Sequence, residues 1–204
     1  MRFVLASASP ARLQTLRNAG VEPEVIVSDV DEDSVTAAST IELVQALALA
    51  KAVGVASGIA SGALVLGCDS LLEFRGQSLG KPVDAEDAIQ RWKLIRGRSG
   101  ILHTGHALLS MRDGTDFPES LLRVASTEVR FGYPSDDEIA AYVATGEPLK
   151  VAGAFTIDGL GGWFVERILG DHHNVVGLSL PLLRTMILDL GYQLSDLPRR
   201  DPGA

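Results

Sequence analysis

The sequence predicts a single α/β domain, because short apolar runs typical of strands alternate with segments of helical periodicity. The chain has 204 residues, 46% of them hydrophobic, which is enough to bury a substantial core. No internal repeat or linker divides it. We therefore expect one domain over residues 1–195, followed by a frayed, proline-containing tail at 196–204.

The first elements are a strand, a turn and a helix. Residues 2–6 form an apolar run, and Ser9 is placed to cap a helix that begins at Pro10 and is closed by Gly20. A loop of small residues ahead of a helix is a general anion site, because free backbone N–H groups and the helix dipole point toward it. Arg12 would add a positive charge there; the alternative is an ordinary capped helix with a solvated arginine.

The next segment predicts a second strand and a long helix. Residues 24–28 form the strand and lead into an acidic cluster at 29–33. Such a cluster is either a solvated loop or a source of carboxylate ligands for a divalent metal. Ser39 and Glu42 have the spacing of a capping box, and the helix that they open is expected to reach about Gly58.

The central stretch, residues 64–82, carries a carboxylate inside an apolar run. One interpretation of Asp69 is a hydrogen-bonded aspartate where a strand ends. The other is chemistry on an anion, with Asp69 as base or metal ligand and Lys81 as a phosphate contact. The spacing alone leaves both open. Lys51, in the preceding helix, has the pattern of an exposed residue on the polar face.

The second half of the chain predicts further helices and strands. Gly76 marks a hairpin turn, and Asp84 caps a helix that runs through Ile95. The remaining predicted elements are strands at 103–111 and 121–131 joined by a turn at 112–115, a helix from a capping box at 135–138 to Gly146, strands at 154–157 and 163–169 around a glycine-rich loop, a loop at His172 and His173, and a helix at 181–190 ended by Gly191.

Composition limits the partners of the chain. A net charge of -8 leaves no broad basic surface for duplex nucleic acid. A phosphorylated small molecule can still bind where a few cationic side chains converge and a divalent cation adds charge. The single Cys68 excludes an internal disulfide framework, which fits a reducing cytoplasm. The most apolar long segment, 41–55, contains Glu42 and Lys51, so we expect a soluble, cytoplasmic protein without a membrane partner.

Four segments resemble one protein family. They are LASASPARL at 5–13, LALAKA at 47–52, GCDSLLEFRGQSLGKP at 67–82, and the run at 138–183 that begins EIAAYVATGEPLKVAGAF. These segments resemble the Maf family of nucleoside triphosphate pyrophosphatases, also called septum-formation-inhibitor proteins, in order from Arg2 to Gly191. The resemblance implies an α/β fold with an elongated mixed central sheet, flanking helices and two lobes around a cleft (a Maf/ITPase-like fold), often as a homodimer.

The resemblance also implies an activity and its residues. The activity is hydrolysis of nucleoside triphosphates between the α- and β-phosphates, to a nucleoside monophosphate and pyrophosphate, with a divalent metal such as Mg or Mn. The family pattern places the catalytic carboxylate on Asp69, the metal ligands on Glu32 and Asp69, and the substrate contacts on Ser7, Ser9, Arg12, Lys51, Ser70, Lys81 and Asp158.

A mechanism follows from this assignment as a hypothesis. Asp69 orients and deprotonates a water for in-line attack on the α-phosphorus, while a metal held by Glu32 and Asp69 stabilises the developing charge. A free aspartic acid has a pKa of about 3.9 and is a weak base at neutral pH, so the metal must share the task by acidifying the water. The sequence leaves open whether Asp69 is mainly base or mainly ligand.

Several positions depart from the pattern of the subgroup that acts on thymidine and uridine triphosphates. Ala11 replaces the first of two arginines, Ser70 replaces a threonine, and Asp158 replaces a glutamine. In the family these positions are associated with base selectivity. A glutamine amide donates and accepts hydrogen bonds, whereas an ionised aspartate only accepts, so the preferred base stays open. Val151 stands where the family usually has a lysine, with Lys150 beside it.

Other functions are less well supported by the sequence. A non-catalytic, nucleotide-binding regulator of cell division is the main alternative, in line with the family's older name. The segment Asp29-Val30-Asp31 follows a strand as in haloacid-dehalogenase phosphatases, but the rest of that pattern is missing. No P-loop motif is present. For an active enzyme, the resemblance suggests a house-cleaning role against aberrant nucleotides, linked to cell-division arrest.

Overall fold

The computed structural model describes residues 1–112 and 118–200. The strands in these residues are β1 (Arg2–Ala6), β2 (Glu24–Val25), β3 (Ala63–Phe74), β4 (Gln77–Leu79), β5 (Ser99–Met111), β6 (Glu119–Phe131) and β7 (Val165–Leu169). The α-helices are α1 (Pro10–Asn18), α2 (Thr40–Ala56), α3 (Ala85–Ile95), α4 (Asp136–Ala144), α5 (His172–Val176) and α6 (Leu180–Asp189).

The strands form one mixed sheet in the order β2-β1-β3-β5-β6-β7, with β4 paired to β3. β1 is parallel to β2 and β3, because helical crossovers separate these strands in the sequence. β3, β5, β6 and β7 pair antiparallel. β3, β5 and β6 have 12 or 13 residues each and give the sheet its elongated form. The expected mixed α/β fold is confirmed.

One edge of β3 is paired in two places and open between them. β1 pairs with Ala63–Gly67 and β4 pairs with Leu72–Phe74, whereas β5 follows the other edge along almost the whole strand. β4 returns on β3 through a two-residue turn at Arg75 and Gly76, whose φ angles are 53° and 76°, as in turns that match strand twist. Among the described residues, 68–71 therefore have no strand neighbour on this edge. We call them the β3 gap.

α2 crosses the sheet in direct contact with its backbone. A Cβ atom at Gly67 would lie 2.2 Å from the carbonyl oxygen of Ala48, and one at Gly105 would lie 2.1 Å from that of Val44. Only glycine permits so close an approach. Gly105 is the cross-strand partner of Asp69, so this packing fixes α2 directly above the β3 gap.

Apolar clusters divide the molecule into two lobes. In the first lobe, one face of the sheet packs on α1 and α6 and the other face packs on α2. In the second lobe, the far ends of β3, β5 and β6 pack on α3 and α4 around the fully buried Trp92. The lobes are continuous through β3 and β5, and the β3 gap lies where they meet.

Local signals placed the helix starts correctly. The predicted caps each accept a backbone N–H at the start of their helix: Ser9, Ser39, Asp84 and Ser135. The predicted strand at 154–157 is wrong. Gly153 and Ala154 have positive φ angles of 70° and 58°, and the Trp92 indole N–H donates to the Ala154 carbonyl at 2.8 Å. This apolar segment is therefore buried as a loop against the second lobe.

The C-terminal part differs from its prediction in one further place. His172 and His173 begin α5, capped by Asp171, and are not a loop. In the region predicted as a tail, Leu197 is buried and Arg199 forms an isolated bridge with Val21. Residues 201–204 of that tail, and most of the predicted turn at 112–115, lie outside the described residues. In the part of the chain that the structure describes, no helix is both long and apolar enough to cross a membrane.

Candidate active site

A cleft of about 830 Å³ opens between the lobes at the β3 gap. Its walls come from the loop between β1 and α1, from α2 and the segment before it, from the β3 gap, and from the loop after β4. The segment 150–158 and the loops around α5 complete them. All nine residues predicted for the site line this cleft: Ser7, Ser9, Arg12, Glu32, Lys51, Asp69, Ser70, Lys81 and Asp158. The chain thus brings them together from six separate segments, while their chemical roles stay predictions.

Asp69 lies in the β3 gap and forms an ion pair with α2. Lys51 Nζ lies 2.6 Å from Asp69 Oδ1 and 2.8 Å from Glu32 Oε1. Lys51 and Asp69 are 8% and 6% exposed, so their contact is largely withdrawn from water. The interpretation of Lys51 as an exposed residue is wrong, because the close packing of α2 on Gly67 and Gly105 directs it into the cleft.

The two carboxylates around Lys51 can accept further ligands. Burial raises the pKa of Glu32, but the hydrogen bond and charge of Lys51, together with the charges of Lys81 and Arg12, lower it more, so the pKa falls below its ordinary value. Within the described residues, no hydrogen bond reaches Asp69 Oδ2. Two carboxylates completed by phosphate and water oxygens are a usual Mg²⁺ environment. No group of three or more His, Cys, Asp or Glu among the described residues could hold a metal alone.

Arg12 joins three parts of the site. Its Nε donates to the Gly177 carbonyl at 2.8 Å, Nη1 donates to Ser7 Oγ at 3.1 Å, and Nη2 donates to Ser70 Oγ at 3.0 Å. The side chain is almost completely buried. Three of its five N–H groups therefore bind other parts of the chain, and the other two have no acceptor among the described residues, so they could bind an anion.

The loop between β1 and α1 presents donors to the cleft. Ser7 Oγ accepts hydrogen bonds from the Ser9 N–H and from Arg12, so its own O–H is left to donate. Ser9 Oγ caps α1 by accepting the Arg12 backbone N–H at 3.4 Å. The N-terminal end of α1 adds positive potential at the same place. An anion in the cleft would meet all of these groups.

Behind the cleft, a buried polar network holds Ser70. Ser70 Oγ and Thr104 Oγ1 are 2.9 Å apart, and Thr104 Oγ1 donates to the Asn174 carbonyl at 3.2 Å. The Asn174 amide donates to the Leu102 carbonyl and to Thr127 Oγ1. Thr104, Thr127 and Asn174 are fully buried. This network fixes α5 against β5 and β6, and no local pattern in the sequence indicated it.

Three charged side chains at the rim of the cleft have no hydrogen-bond or ion-pair partner among the described residues. Lys81, Lys150 and Asp158 are exposed, line the cleft, and form no hydrogen bond or ion pair with any described residue. Lys150 was not predicted from the sequence as a site residue. The family usually has a lysine at the position of Val151, and Lys150 lies one residue before it. This displaced lysine was the signal that could have identified Lys150. Free side chains of this kind are available to a ligand.

Glu147 holds the glycine-rich loop that carries Asp158. Its carboxylate accepts hydrogen bonds from the Tyr142 and Thr156 hydroxyls at 2.9 and 2.6 Å, and from the backbone N–H groups of Leu160 and Gly161 at 3.1 Å. Burial raises the pKa of Glu147, but these hydrogen bonds lower it more, so the carboxylate stays ionised at neutral pH. Glu147 was not predicted from the sequence as a site residue.

Comparisons place the chain among known proteins. The family described as Maf-like protein matches residues 2–190. A Streptomyces coelicolor protein named nucleoside triphosphate pyrophosphatase is 58% identical over 197 residues, which cover 96% of this chain and 94% of that protein. A Salinispora tropica protein of the same name is 56% identical over 201 residues, which cover 97% of this chain and 87% of that protein.

A solved structure shares the fold at low sequence identity. It is described as a HAM1 protein from Coxiella burnetii and aligns with a TM-score of 0.51 and 19% identity. The alignment covers 93% of this chain and 99% of that one. At this identity the likeness concerns the mixed α/β architecture alone.

Proposed function

Because the chain belongs to the Maf-like protein family, we propose that it is a nucleoside triphosphate pyrophosphatase. The reaction would be hydrolysis between the α- and β-phosphates, with release of a nucleoside monophosphate and pyrophosphate. The observation that carries the proposal is the buried Lys51–Asp69 pair at the β3 gap, in a cleft lined by cationic and hydroxyl groups.

The cleft has the groups to hold a triphosphate despite the acidic composition of the chain. Arg12, Lys51, Lys81 and Lys150 line it, and the Ser7 hydroxyl and the N-terminal end of α1 face the same space. Lys51 has three N–H donors; two hold Glu32 and Asp69, and one remains for a phosphate oxygen. Converging donors of this kind stabilise phosphate charge locally.

Asp69 is the proposed group that orients the attacking water. Lys51 fixes Asp69 through Oδ1, and Oδ2 has no donor among the described residues. A water could therefore bind to one defined oxygen of a carboxylate whose direction is set by its partner. The carboxylate would align the water with the α-phosphorus and take up its proton.

A divalent cation, Mg²⁺ or Mn²⁺, is part of the proposal. Glu32 and Asp69 would hold it together with phosphate oxygens. When bound, it would supply positive charge on the phosphates and acidify the water.

The finer properties of the enzyme are also proposals. Its substrates would be ordinary or modified nucleoside triphosphates and their deoxy forms, and their removal would be a house-cleaning role linked to cell-division arrest. A net charge of -8 supports the absence of a duplex nucleic acid partner. The single Cys68 supports a cytoplasmic location, and the family resemblance supports a homodimer. Light scattering on the purified chain would test the dimer.

The test is pyrophosphate release with Mg²⁺ or Mn²⁺ across a panel of nucleoside triphosphates. We expect metal-dependent release that falls by about 100-fold or more in Asp69→Asn. Asp137→Asn, an exposed aspartate in the first turn of α4 outside the cleft, is the matched control and is expected to retain activity.

Two results would contradict the proposal. Equal release from Asp69→Asn and the parent would remove Asp69 from the mechanism. Calorimetric binding of nucleotides without turnover in any metal would favour the non-catalytic, nucleotide-binding regulator.

A further inference from the structure

Thr104 carries a buried hydroxyl directly behind the site. It lies on β5 as the cross-strand partner of Ser70 in the β3 gap. Side chains of opposite residues in an antiparallel pair share one face of the sheet, and Ser70 Oγ and Thr104 Oγ1 are 2.9 Å apart. Thr104 is fully buried and is not part of the cleft wall. Any effect of Thr104 on a ligand in the cleft must therefore pass through another residue.

The number of protons fixes the direction of the hydrogen bonds around Thr104. Its hydroxyl has one proton, and the Asn174 carbonyl oxygen, 3.2 Å away, can only accept. Thr104 therefore donates to Asn174, and the Ser70 hydroxyl supplies the proton between Ser70 and Thr104. The opposite direction would leave the contact between Thr104 and Asn174 without a proton. A hydrogen bond left unmade at a buried hydroxyl costs free energy, so the first arrangement is favoured.

Ser70 connects Thr104 to Arg12. Arg12 Nη2 lies 3.0 Å from Ser70 Oγ, and a guanidinium can only donate. The hydrogen bonds thus run in one direction, from Arg12 to Ser70, then to Thr104 and to the Asn174 carbonyl. Hydrogen bonds aligned in this way polarise and strengthen one another. Because the one proton of Ser70 is bound to Thr104, Ser70 offers Arg12 an acceptor.

A second connection leads from the backbone of Thr104 to another contact of Arg12. His106 Nδ1 lies 3.0 Å from the Thr104 carbonyl oxygen, and the Ser179 N–H donates to His106 Nε2 at 2.9 Å. Burial lowers the pKa of His106 to about 4, so the ring is neutral at neutral pH and carries its proton on Nδ1. Gly177, two residues before Ser179, provides the carbonyl that accepts from Arg12 Nε. Two of the three contacts of Arg12 are therefore linked to Thr104.

We propose that Thr104 is a positioning residue for the proposed reaction, which acts by fixing the Ser70 hydroxyl and thereby the guanidinium of Arg12. The inference rests on the proposed function, since it concerns the same site. Two N–H groups of Arg12 have no acceptor among the described residues, and the other three set their direction. A guanidinium that is already held loses little side-chain freedom when phosphate binds, so it binds phosphate more tightly.

The first experiment measures kcat/KM for pyrophosphate release in Thr104→Val, with the best nucleoside triphosphate of the parent. Valine keeps the shape of the side chain but removes the hydroxyl, so the Ser70 proton loses its acceptor and the contact with Arg12 loosens. We expect kcat/KM to fall by about tenfold. Thr104→Ser restores a hydroxyl at this position and should recover most of the loss.

Ser110→Ala is the matched control. Ser110 is another fully buried hydroxyl of β5, and it contacts the Tyr192 hydroxyl at 2.8 Å outside the cleft. Its loss should lower the midpoint of thermal unfolding but leave kcat/KM within about twofold. A fall in kcat/KM as large as that in Thr104→Val would assign the effect of Thr104 to general stability and overturn the inference.

A double-mutant cycle tests the route through Ser70. If Thr104 acts on Arg12 through the Ser70 hydroxyl, Thr104→Val should change kcat/KM by less than about twofold once Ser70 is replaced by alanine. A further tenfold loss in the double variant Ser70→Ala/Thr104→Val would show that Thr104 acts by another route, and would overturn the inference.

Binding of pyrophosphate separates this inference from the proposed function. Calorimetry with pyrophosphate and Mg²⁺ reports on the anion site even if the chain hydrolyses no nucleotide. We expect Thr104→Val to raise the Kd by about tenfold and Thr104→Ser to stay close to the parent. Thr104-dependent binding in a chain without turnover would contradict the proposed function and still support the inference. Equal Kd values in the parent and in Thr104→Val would overturn it.

Discussion

The ammonium of Lys51 lies 2.6 Å from the carboxylate of Asp69, and both residues are buried. The pair therefore contributes to stability as well as to the proposed chemistry. Lys51→Met is expected to lower the free energy of unfolding by about 3 kcal/mol, because Asp69 would be left buried without its main partner. Urea unfolding followed by circular dichroism measures this.

The double variant Lys51→Met/Asp69→Asn is the control for that experiment. Removing the charge of Asp69 as well should recover part of the lost stability, since no buried carboxylate is then left unpaired. A single Lys51→Met variant as stable as the parent would contradict the expectation.

Glu147 predicts a pH dependence of stability. Its pKa is lowered in the folded chain, so the stabilisation is complete above the unfolded value of about 4.3 and is lost as the pH falls through the folded pKa. Glu147→Gln should be less stable than the parent by about 1 kcal/mol near neutral pH, because an amide cannot accept all four hydrogen bonds. Thermal unfolding from pH 7 to about pH 3 should show the two proteins converging. A constant difference would contradict a role for the charge.

The close packing of α2 on Gly105 predicts that a side chain at this position would destabilise the fold. A Cβ atom there would lie 2.1 Å from the Val44 carbonyl oxygen, so Gly105→Ala must move α2 and with it Lys51. We expect a loss of about 2–3 kcal/mol in unfolding free energy and a lower rate of pyrophosphate release. Gly54→Ala, within α2, is the matched control: its Cβ would meet nothing closer than 3.7 Å, and it should stabilise by about 0.5–1 kcal/mol. Equal effects of the two alanines would contradict this packing.

Cys68 predicts a thiol that is inert in the native protein. It is fully buried, and burial raises the pKa of its thiol to about 12. Since the thiolate is the reactive form, labelling by iodoacetamide at neutral pH should be slow in the folded chain and fast in guanidinium chloride. Comparable rates in both conditions would show that the strand opens readily.

Much of the fold could be predicted because its signals are local. A helix-capping side chain accepts a hydrogen bond from a backbone N–H only three residues later in the sequence. Ser9 and Ser135 could therefore be identified without tertiary information. The segment 154–157 could not, because its apolar residues are buried by the distant Trp92 and Phe131 rather than by strand neighbours. Burial in a loop and burial in a strand give the same sequence pattern.

In the candidate site, too, local features could be predicted from the sequence and contacts between distant segments could not. Helical pattern alone predicted Lys51 as exposed, and the family resemblance placed it in the site as a substrate contact. Its contact with Asp69 could not be predicted, because it depends on the close packing of α2 on Gly67 and Gly105. Glu147 could not be predicted, because its hydrogen-bond partners lie 5, 9 and 14 residues away along the sequence. These separations match neither helical nor strand periodicity. Single-sequence patterns report on neighbours along the chain, whereas this site consists of contacts between segments.

The two strands that border the β3 gap, β1 and β4, differ in their separation from β3 along the sequence. β4 reaches β3 through a two-residue turn, whereas β1 pairs with β3 only after the intervening helices have been accommodated. Hairpins close in microseconds, while pairing between distant segments requires closure of a long loop and comes later. During refolding, a chain with β3 and β4 already joined still has no complete cleft. We therefore expect the pairing of β1 with β3 to be the later step that completes the cleft during refolding.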